Sequence, residues 1–286
     1  MKVGIVGLGL IGGSVALKLK EVNNNITIYG FDQNNRSLDF SLKNEIIDKK
    51  FDPDSLLDFD YLFLAIPVES IKKQLKSILD KISEKTLVID LGSTKYEICN
   101  SIKNHNKREN FLAAHPIAGT EFSGHVAAKK DLFDNKVMIL CETENTNSIL
   151  LSGAIKIFKT LGMSIKTMDS IDHDKHIAYV SHLSHISSFM LGKTVIEKEK
   201  NEKNIFDLAG SGFESTVRLA KSLPETWTPI FLQNKNNLVL AIDEYISNLN
   251  ALKKIIENND SNKLSSILNN TNRIKEILSN KLENGK

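Results

Sequence analysis

Two groups of residues in this 286-residue chain have the types and spacing to do chemistry. The first is Gly7-Leu8-Gly9-Leu10-Ile11-Gly12, a GxGxxG pattern, with Asp32 standing 20 residues beyond Gly12. In such a loop the first glycine permits a tight strand-to-helix turn. The second lets a pyrophosphate approach the backbone, and the third lets the helix pack closely on the strand. A helix opening there offers free N–H groups and partial positive charge to phosphates. Asp32 would hydrogen-bond adenosine ribose hydroxyls and repel a 2′-phosphate, which favours NAD over NADP. Arg36 works against that preference, because an arginine just past the strand can accept a 2′-phosphate. On these residues alone, a ligand-free glycine turn and a flavin site both remain open.

The second group centres on His115, in Ala114-His115-Pro116-Ile117-Ala118-Gly119-Thr120-Glu121, and Ser93, in Asp90-Leu91-Gly92-Ser93-Thr94-Lys95. Oxidising a hydroxyl requires a base for its proton while the hydride leaves, and a neutral imidazole suits that work near pH 7. Both residues follow strand-like runs, and ligands bind beyond the carboxyl ends of strands in open α/β sheets. Pro116 holds His115 extended. The plain alternative is a loop-capping histidine and a helix N-cap serine. Further on, the segment Ala209 to Trp227 concentrates glycines, Arg218 and the only tryptophan. Arg218 offers a bidentate fork for a carboxylate, or else an ordinary surface ion pair. His182 and His185 can share a helix face, yet no third ligand stands at a metal-binding spacing, so no metal is expected. Gly192-Lys193-Thr194 imitates the end of a phosphate loop, but Ser187 occupies the leading glycine position and the pattern there is helical.

These residues need a scaffold. Strand-like runs occur at Lys2–Val6, Ile26–Phe31, Tyr61–Ile66, Thr86–Leu91, Phe111–Ala114, Val137–Cys141 and Ser164–Met168. Helical spacing links Ile71, Leu75, Ile78, Leu79 and Ile82, and likewise Ile149, Leu150, Gly153, Ile157 and Leu161. Alternating strands and helices predict a mostly parallel sheet covered on both faces. After Asp169 the strand signals stop and three helical stretches follow: Ile171–Lys200, Trp227–Ile256 and Asn262–Leu282. The expected division is therefore 1–168 and 169–286. In 227–256, apolar residues such as Ile230, Phe231, Leu232, Leu238, Val239 and Leu240 fall on more than one face. They ask for a second burial partner, a symmetric copy or the rest of their own domain.

Composition narrows the classes. With 37 basic against 35 acidic residues and a net charge of +2, the chain lacks the dense basic run of a nucleic-acid binder. Cys99 and Cys141 are its only cysteines, far apart, which excludes a disulfide framework and suits a reducing cytoplasm. No apolar run reaches the roughly 18 to 20 residues of a membrane helix. The glycines at 7, 9, 12 and 13, followed by Lys18 and Lys20, argue against a signal peptide.

Read together and in order, GLGLIGGS, DLGSTK, HPIAGTE, the stretch from Asp172-His173 to Ser181-His182-Leu183-Ser184-His185, and GSGF with Arg218, Pro224 and Trp227 resemble the prephenate/arogenate dehydrogenase family of tyrosine biosynthesis. The resemblance covers nearly the whole chain, and HPIAGTE with the downstream SHLxH is its specific part. It implies a Rossmann-type α/β domain with a mostly parallel sheet, followed by an all-α dimerisation domain, and hence a homodimer. It implies NAD-dependent oxidative decarboxylation of prephenate to 4-hydroxyphenylpyruvate and CO2. His115 would then be the catalytic histidine and Ser93 its partner at the substrate hydroxyl. Arg218 would bind a carboxylate, His185 would lie near the anionic groups, and Glu121 would stand at the pocket entrance, with Trp227 and Gly212 also about the substrate. The cofactor would meet Gly7, Leu8, Gly9, Leu10, Ile11, Gly12, Asp32, Arg36 and Pro67. GSGF stands where GGGF also occurs, and Ser215 replaces an acidic residue of some relatives. No fused chorismate mutase or ACT domain is recognisable, so a single activity is expected. The alternatives are an arogenate dehydrogenase, a β-hydroxyacid dehydrogenase using Lys235, and a nucleotide-sensing protein without activity. The two SHLxH histidines and Asp32 favour prephenate with NAD.

Overall fold

The computed structural model describes residues 1–23, 25–54, 58–202 and 204–283. Its strands are β1 (Lys2–Val6), β2 (Thr27–Phe31), β3 (Lys49–Lys50), β4 (Tyr61–Leu64), β5 (Leu87–Asp90), β6 (Phe111–Pro116), β7 (Val137–Cys141) and β8 (Ser164–Met168). They form one sheet in the order β3-β2-β1-β4-β5-β6-β7-β8. Every pairing is parallel except β6 with β7. The helices among these strands are α1 (Leu10–Val22), α2 (Asn35–Lys43), α3 (Val68–Lys81), α4 (Tyr96–Ser101) and α5 (Ser148–Thr160).

The strands are apolar on both sides of the pleat because both faces are covered. Along β4, Phe63 enters one core with Val15 and Leu19 of α1 and Phe158 of α5. Its neighbours Leu62 and Leu64 enter the other, with Ile71, Leu75 and Leu79 of α3. From β1 the chain builds outward through β2 and β3 on one side, then returns to add β4, β5 and β6 on the other. That reversal opens a crevice at the carboxyl ends of β1 and β4. Gly7 makes the turn there at φ +91°, and a Cβ on it would stand 2.4 Å from the Ala65 carbonyl oxygen. Glycine alone fits that position.

Beyond β8 come α6 (Ser170–Ile177), a single π-turn (Ala178–His182), α7 (Leu183–Glu199), α8 (Ser211–Val217) and α9 (Pro224–Gln233). Strands thus end at Met168, while the compact unit that carries the sheet extends through Asn234. Ile230 of α9 joins the α3-side core, with Trp227 and Phe231 packed beside it.

A second compact unit, 235–286, holds α10 (Lys235–Glu257), α11 (Ser261–Thr271) and α12 (Ile274–Glu283). The stretch expected as one helix over 227–256 is broken at Asn234. That residue turns out of helical geometry and donates its amide to the Asp174 carbonyl oxygen at 2.6 Å. No helix among the described residues is long and apolar enough to cross a membrane.

Candidate active site

The crevice at the ends of β1 and β4 encloses a cavity of about 270 Å³ lined by Gly7, Gly9, Asp32, Ala65, Ile66 and Pro67, among others. Asp32 is held to the glycine loop, its carboxylate accepting from Leu8 N at 2.8 Å and from Asn34 N at 2.8 Å. A Cβ on Gly9 would meet nothing within 4 Å, whereas one on Gly12 would stand 1.9 Å from the Gly7 carbonyl oxygen. Gly9 therefore leaves open space in the crevice, and Gly12 brings α1 against the loop. Room over Gly9 and a fixed carboxylate at the end of β2 fit a dinucleotide. Leu8 is buried beneath the loop, Leu10 packs on the core, and Ile11 lines the next cavity. Arg36 lies exposed in the first turn of α2, lining neither cavity.

The second cavity, about 200 Å³, shares Ala65, Ile66 and Pro67 with the first and reaches Gly92 and Ser93. The third, about 340 Å³, shares Ser93 with the second and is lined by His115, His185, Arg218 and Trp227. Shared lining residues thus link these three cavities in series from Asp32 to Arg218. Gly212, exposed in α8, lines none of these cavities.

His115 lies within β6, one residue before its end, where β7 pairs antiparallel with it (His115 with Ile139, Pro116 with Met138). This pairing carries the strand two residues past Ala114, its expected end. The residue is only 9% exposed. Burial, aided by His173, Lys95 and His182, holds its pKa well below the ordinary imidazole value. It is a neutral base at pH 7. Beneath it lies a fully buried ion pair of Lys95 and Asp90, with Lys95 Nζ also donating to the Ala114 carbonyl oxygen at 2.8 Å. The pair ties the loop bearing Ser93 to the strand bearing His115.

Helix α6 supplies residues that the sequence reading did not single out as functional. Its buried stripe is Ser170, His173, Asp174 and Ile177, the i, i+3, i+4, i+7 spacing of a core face. His173 Nε2 lies 2.9 Å from His115 Nδ1, and His173 Nδ1 lies 2.8 Å from Asp174 Oδ1. Polar residues at core positions of an amphipathic stripe were the available signal.

His182 and His185 play different parts. His182 is buried, its Nδ1 3.2 Å from Asn234 Nδ2, and burial lowers its pKa to about 4. His185 stacks on Trp227 with ring centroids 3.4 Å apart and donates from Nδ1 to the Ser181 carbonyl oxygen at 2.9 Å. Burial, with Arg218 acting the same way, lowers its pKa as well. His185 is therefore a neutral ring, and Arg218 carries the cavity's positive charge. Arg218 in turn meets Glu121 at 2.8 Å. Both cysteines are free and buried, with burial pushing the Cys141 thiol up to about 12. No cluster of three metal-ligating side chains occurs among the described residues.

Residues 15–167 match the family profile described as prephenate dehydrogenase, nucleotide-binding domain, and residues 169–270 match its dimerization domain. The chain belongs to the prephenate dehydrogenase family. It is 28% identical to the prephenate dehydrogenase of Bacillus subtilis over 91% of this chain and 71% of that protein. Among solved structures, prephenate dehydrogenase from Aquifex aeolicus, in complex with hydroxyphenyl propionate and NAD+, superposes with a TM-score of 0.89. It is 32% identical, with 97% of each chain covered. The arogenate dehydrogenase of Synechocystis superposes with a TM-score of 0.76 at 27% identity, covering 97% of this chain and 100% of that one. In this chain the series of cavities from Asp32 to Arg218 leads from the nucleotide-binding fold to a buried, neutral histidine.

Proposed function

We propose that this chain oxidises prephenate with NAD, yielding 4-hydroxyphenylpyruvate, CO2 and NADH. What supports this reading above all is Ser93, on the wall common to the cavity of His115 and Arg218 and to the second cavity, which itself adjoins the crevice at Ala65, Ile66 and Pro67. A hydroxyl bound there lies between the dinucleotide site and a neutral base.

Gly7, Gly9, Asp32 and Pro67 would hold the cofactor, which when bound takes the hydride from the carbinol carbon. Ser93 orients the substrate hydroxyl, and His115 accepts its proton as the carbon is oxidised. The carbonyl formed at that carbon is conjugated through the ring, so it draws in the electrons of the bond to the ring carboxylate as CO2 leaves. Aromatisation makes the step effectively irreversible. The balance consumes no net proton, so His115 returns its proton to the oxygen that becomes the phenol. Arg218 exchanges Glu121 for a substrate carboxylate, and neutral His185, stacked on Trp227, forms the wall beside it.

The working unit is a homodimer built by the helices. Val239, Leu240, Ile246 and Leu249 of α10 are each about half exposed in the single chain, and a second copy would bury them. Light scattering should give about twice 32.0 kDa, and an active monomer would refute the assembly. Neutral buried thiols and the absence of a spanning helix among the described residues support a cytoplasmic location. The deciding assay follows absorbance at 340 nm with prephenate or arogenate, each with NAD or NADP. NADH formation with prephenate and NAD is expected. Turnover of arogenate alone would replace the substrate, and activity with neither would end the reading.

A further inference from the structure

A base is defined by which atom carries its lone pair, and the surroundings of His115 settle that question through two further side chains. The inference rests on the reading of His115 as the base. Asp174 accepts on both oxygens: Oδ1 from Lys95 N at 2.8 Å and Oδ2 from Tyr96 N at 2.9 Å. A carboxylate ringed by donors has only lone pairs to offer. His173 Nδ1, 2.8 Å from Oδ1, is therefore the donor of that contact. In its neutral form His173 has no second N–H, so Nε2 presents a lone pair. Facing it at 2.9 Å, His115 Nδ1 must donate. The single proton of neutral His115 is thereby spent on Nδ1, and Nε2 is left with its lone pair for whatever occupies the cavity.

We propose that His173, anchored by Asp174, is a positioning residue that keeps the His115 proton on Nδ1 and so leaves Nε2 as the base. Burying His173 and Asp174 on the core stripe of α6, where apolar side chains would pack without polar desolvation, makes sense for such a task. The same chain accounts for Asn234, whose amide donates to the Asp174 carbonyl oxygen and holds this turn of α6 in place.

The test uses the whole protein labelled with 15N-histidine. Long-range 1H–15N correlations separate protonated from unprotonated ring nitrogens, and a His115→Asn variant assigns the His115 signals by their loss. Expected are a protonated Nδ1 and a bare Nε2 on His115, and a protonated Nδ1 on His173. A protonated Nε2 on His115 overturns the proposal. Two variants give the kinetic arm. His173→Leu removes the acceptor, and kcat should fall at least about tenfold, toward the 10²–10⁴ that general-base help supplies, with KM for both substrates little changed. His173→Gln restores an acceptor oxygen and should recover most of that loss. Unchanged kcat in folded His173→Leu, or His173→Gln as impaired as His173→Leu, overturns it too. If His173→Leu does not fold, the spectrum of the parent protein decides. That spectrum needs no turnover, so a failure to oxidise prephenate would sink the functional reading while leaving the tautomer measured.

Discussion

Gly9 and Gly12 belong to one motif, yet their surroundings predict opposite consequences for an added methyl group. A Cβ on Gly9 meets nothing within 4 Å, and its φ of −76° and ψ of −157° suit any residue. Gly9→Ala should fold as well as the parent, or gain the roughly 0.4–1 kcal/mol that replacing a glycine removes from unfolded-chain entropy. A Cβ on Gly12 would lie 1.9 Å from the Gly7 carbonyl oxygen, where ordinary contact begins at 3.4 Å, so the loop must move by about 1.5 Å (3.4 minus 1.9). Overpacking of this kind costs about 1–3 kcal/mol. Cofactor binding separates the pair further. The methyl of Gly9→Ala projects into the crevice, so its Kd for NAD should rise at least about tenfold, equivalent to ~1.4 kcal/mol, with no loss of stability. Gly12→Ala should lose both. Urea melts without cofactor and calorimetric titration with NAD measure the two effects. Parent-like NAD affinity in Gly9→Ala would refute the placement of the pyrophosphate, and destabilisation equal to that of Gly12→Ala would refute the open space.

Three further outcomes follow from the site. His115→Asn should keep its KM for prephenate while kcat drops by about 10²–10⁴, whereas Arg218→Gln should chiefly raise KM; steady-state kinetics showing the reverse would exchange the two roles. Because burial holds His115 well below 6.5, kcat/KM should stay level from pH 7 down through 6.5 and decline only in more acid solution. An acid limb centred at 6.5 or higher would contradict that environment. His182 titrates near 6.5 unfolded and about 4 folded, so between these values the unfolded chain binds more protons. The stability it contributes is present above pH 6.5 and is lost as pH falls through 4. The 2.5-unit gap amounts to roughly 3 kcal/mol, and urea melts at pH 7 and 4 should show that loss diminished in His182→Phe.

Features written in local spacing were legible in the sequence. The glycine loop and the apolar runs of β1, β4 and β5 declare themselves within a few residues, because turn geometry and burial on both faces constrain each position directly. β3 was not legible. Lys49 and Lys50 are exposed and pair through their backbone with Tyr29 and Gly30, without an apolar side chain to mark the strand. The break at Asn234 answers to Asp174, 60 residues earlier, and Arg218 finds Glu121 at a separation of 97. Such partners exist only after folding. The neutrality of His185 likewise depends on burial and on the nearby Arg218, which no motif encodes. His173 and Asp174 were visible as letters, but their role rests on a hydrogen-bond chain to a strand 58 residues away.

The single π-turn at Ala178–His182 bears on which changes of length this helix can take. Twelve residues separate His173 from His185, and at about 100° per residue an uninterrupted α-helix would set them about 120° apart. A π-turn absorbs one extra residue, which leaves eleven effective steps and brings the two within about 20° of one phase. His173 beside His115 and His185 on the wall of that cavity therefore face one side because the π-turn takes up the twelfth step. Deleting one residue from 178–182 would regularise the helix and keep that phase, whereas deleting two would swing His185 out of the cavity. The helix can therefore shorten by one residue here without moving either ring, and a helical wheel drawn through 170–199 has to skip a position.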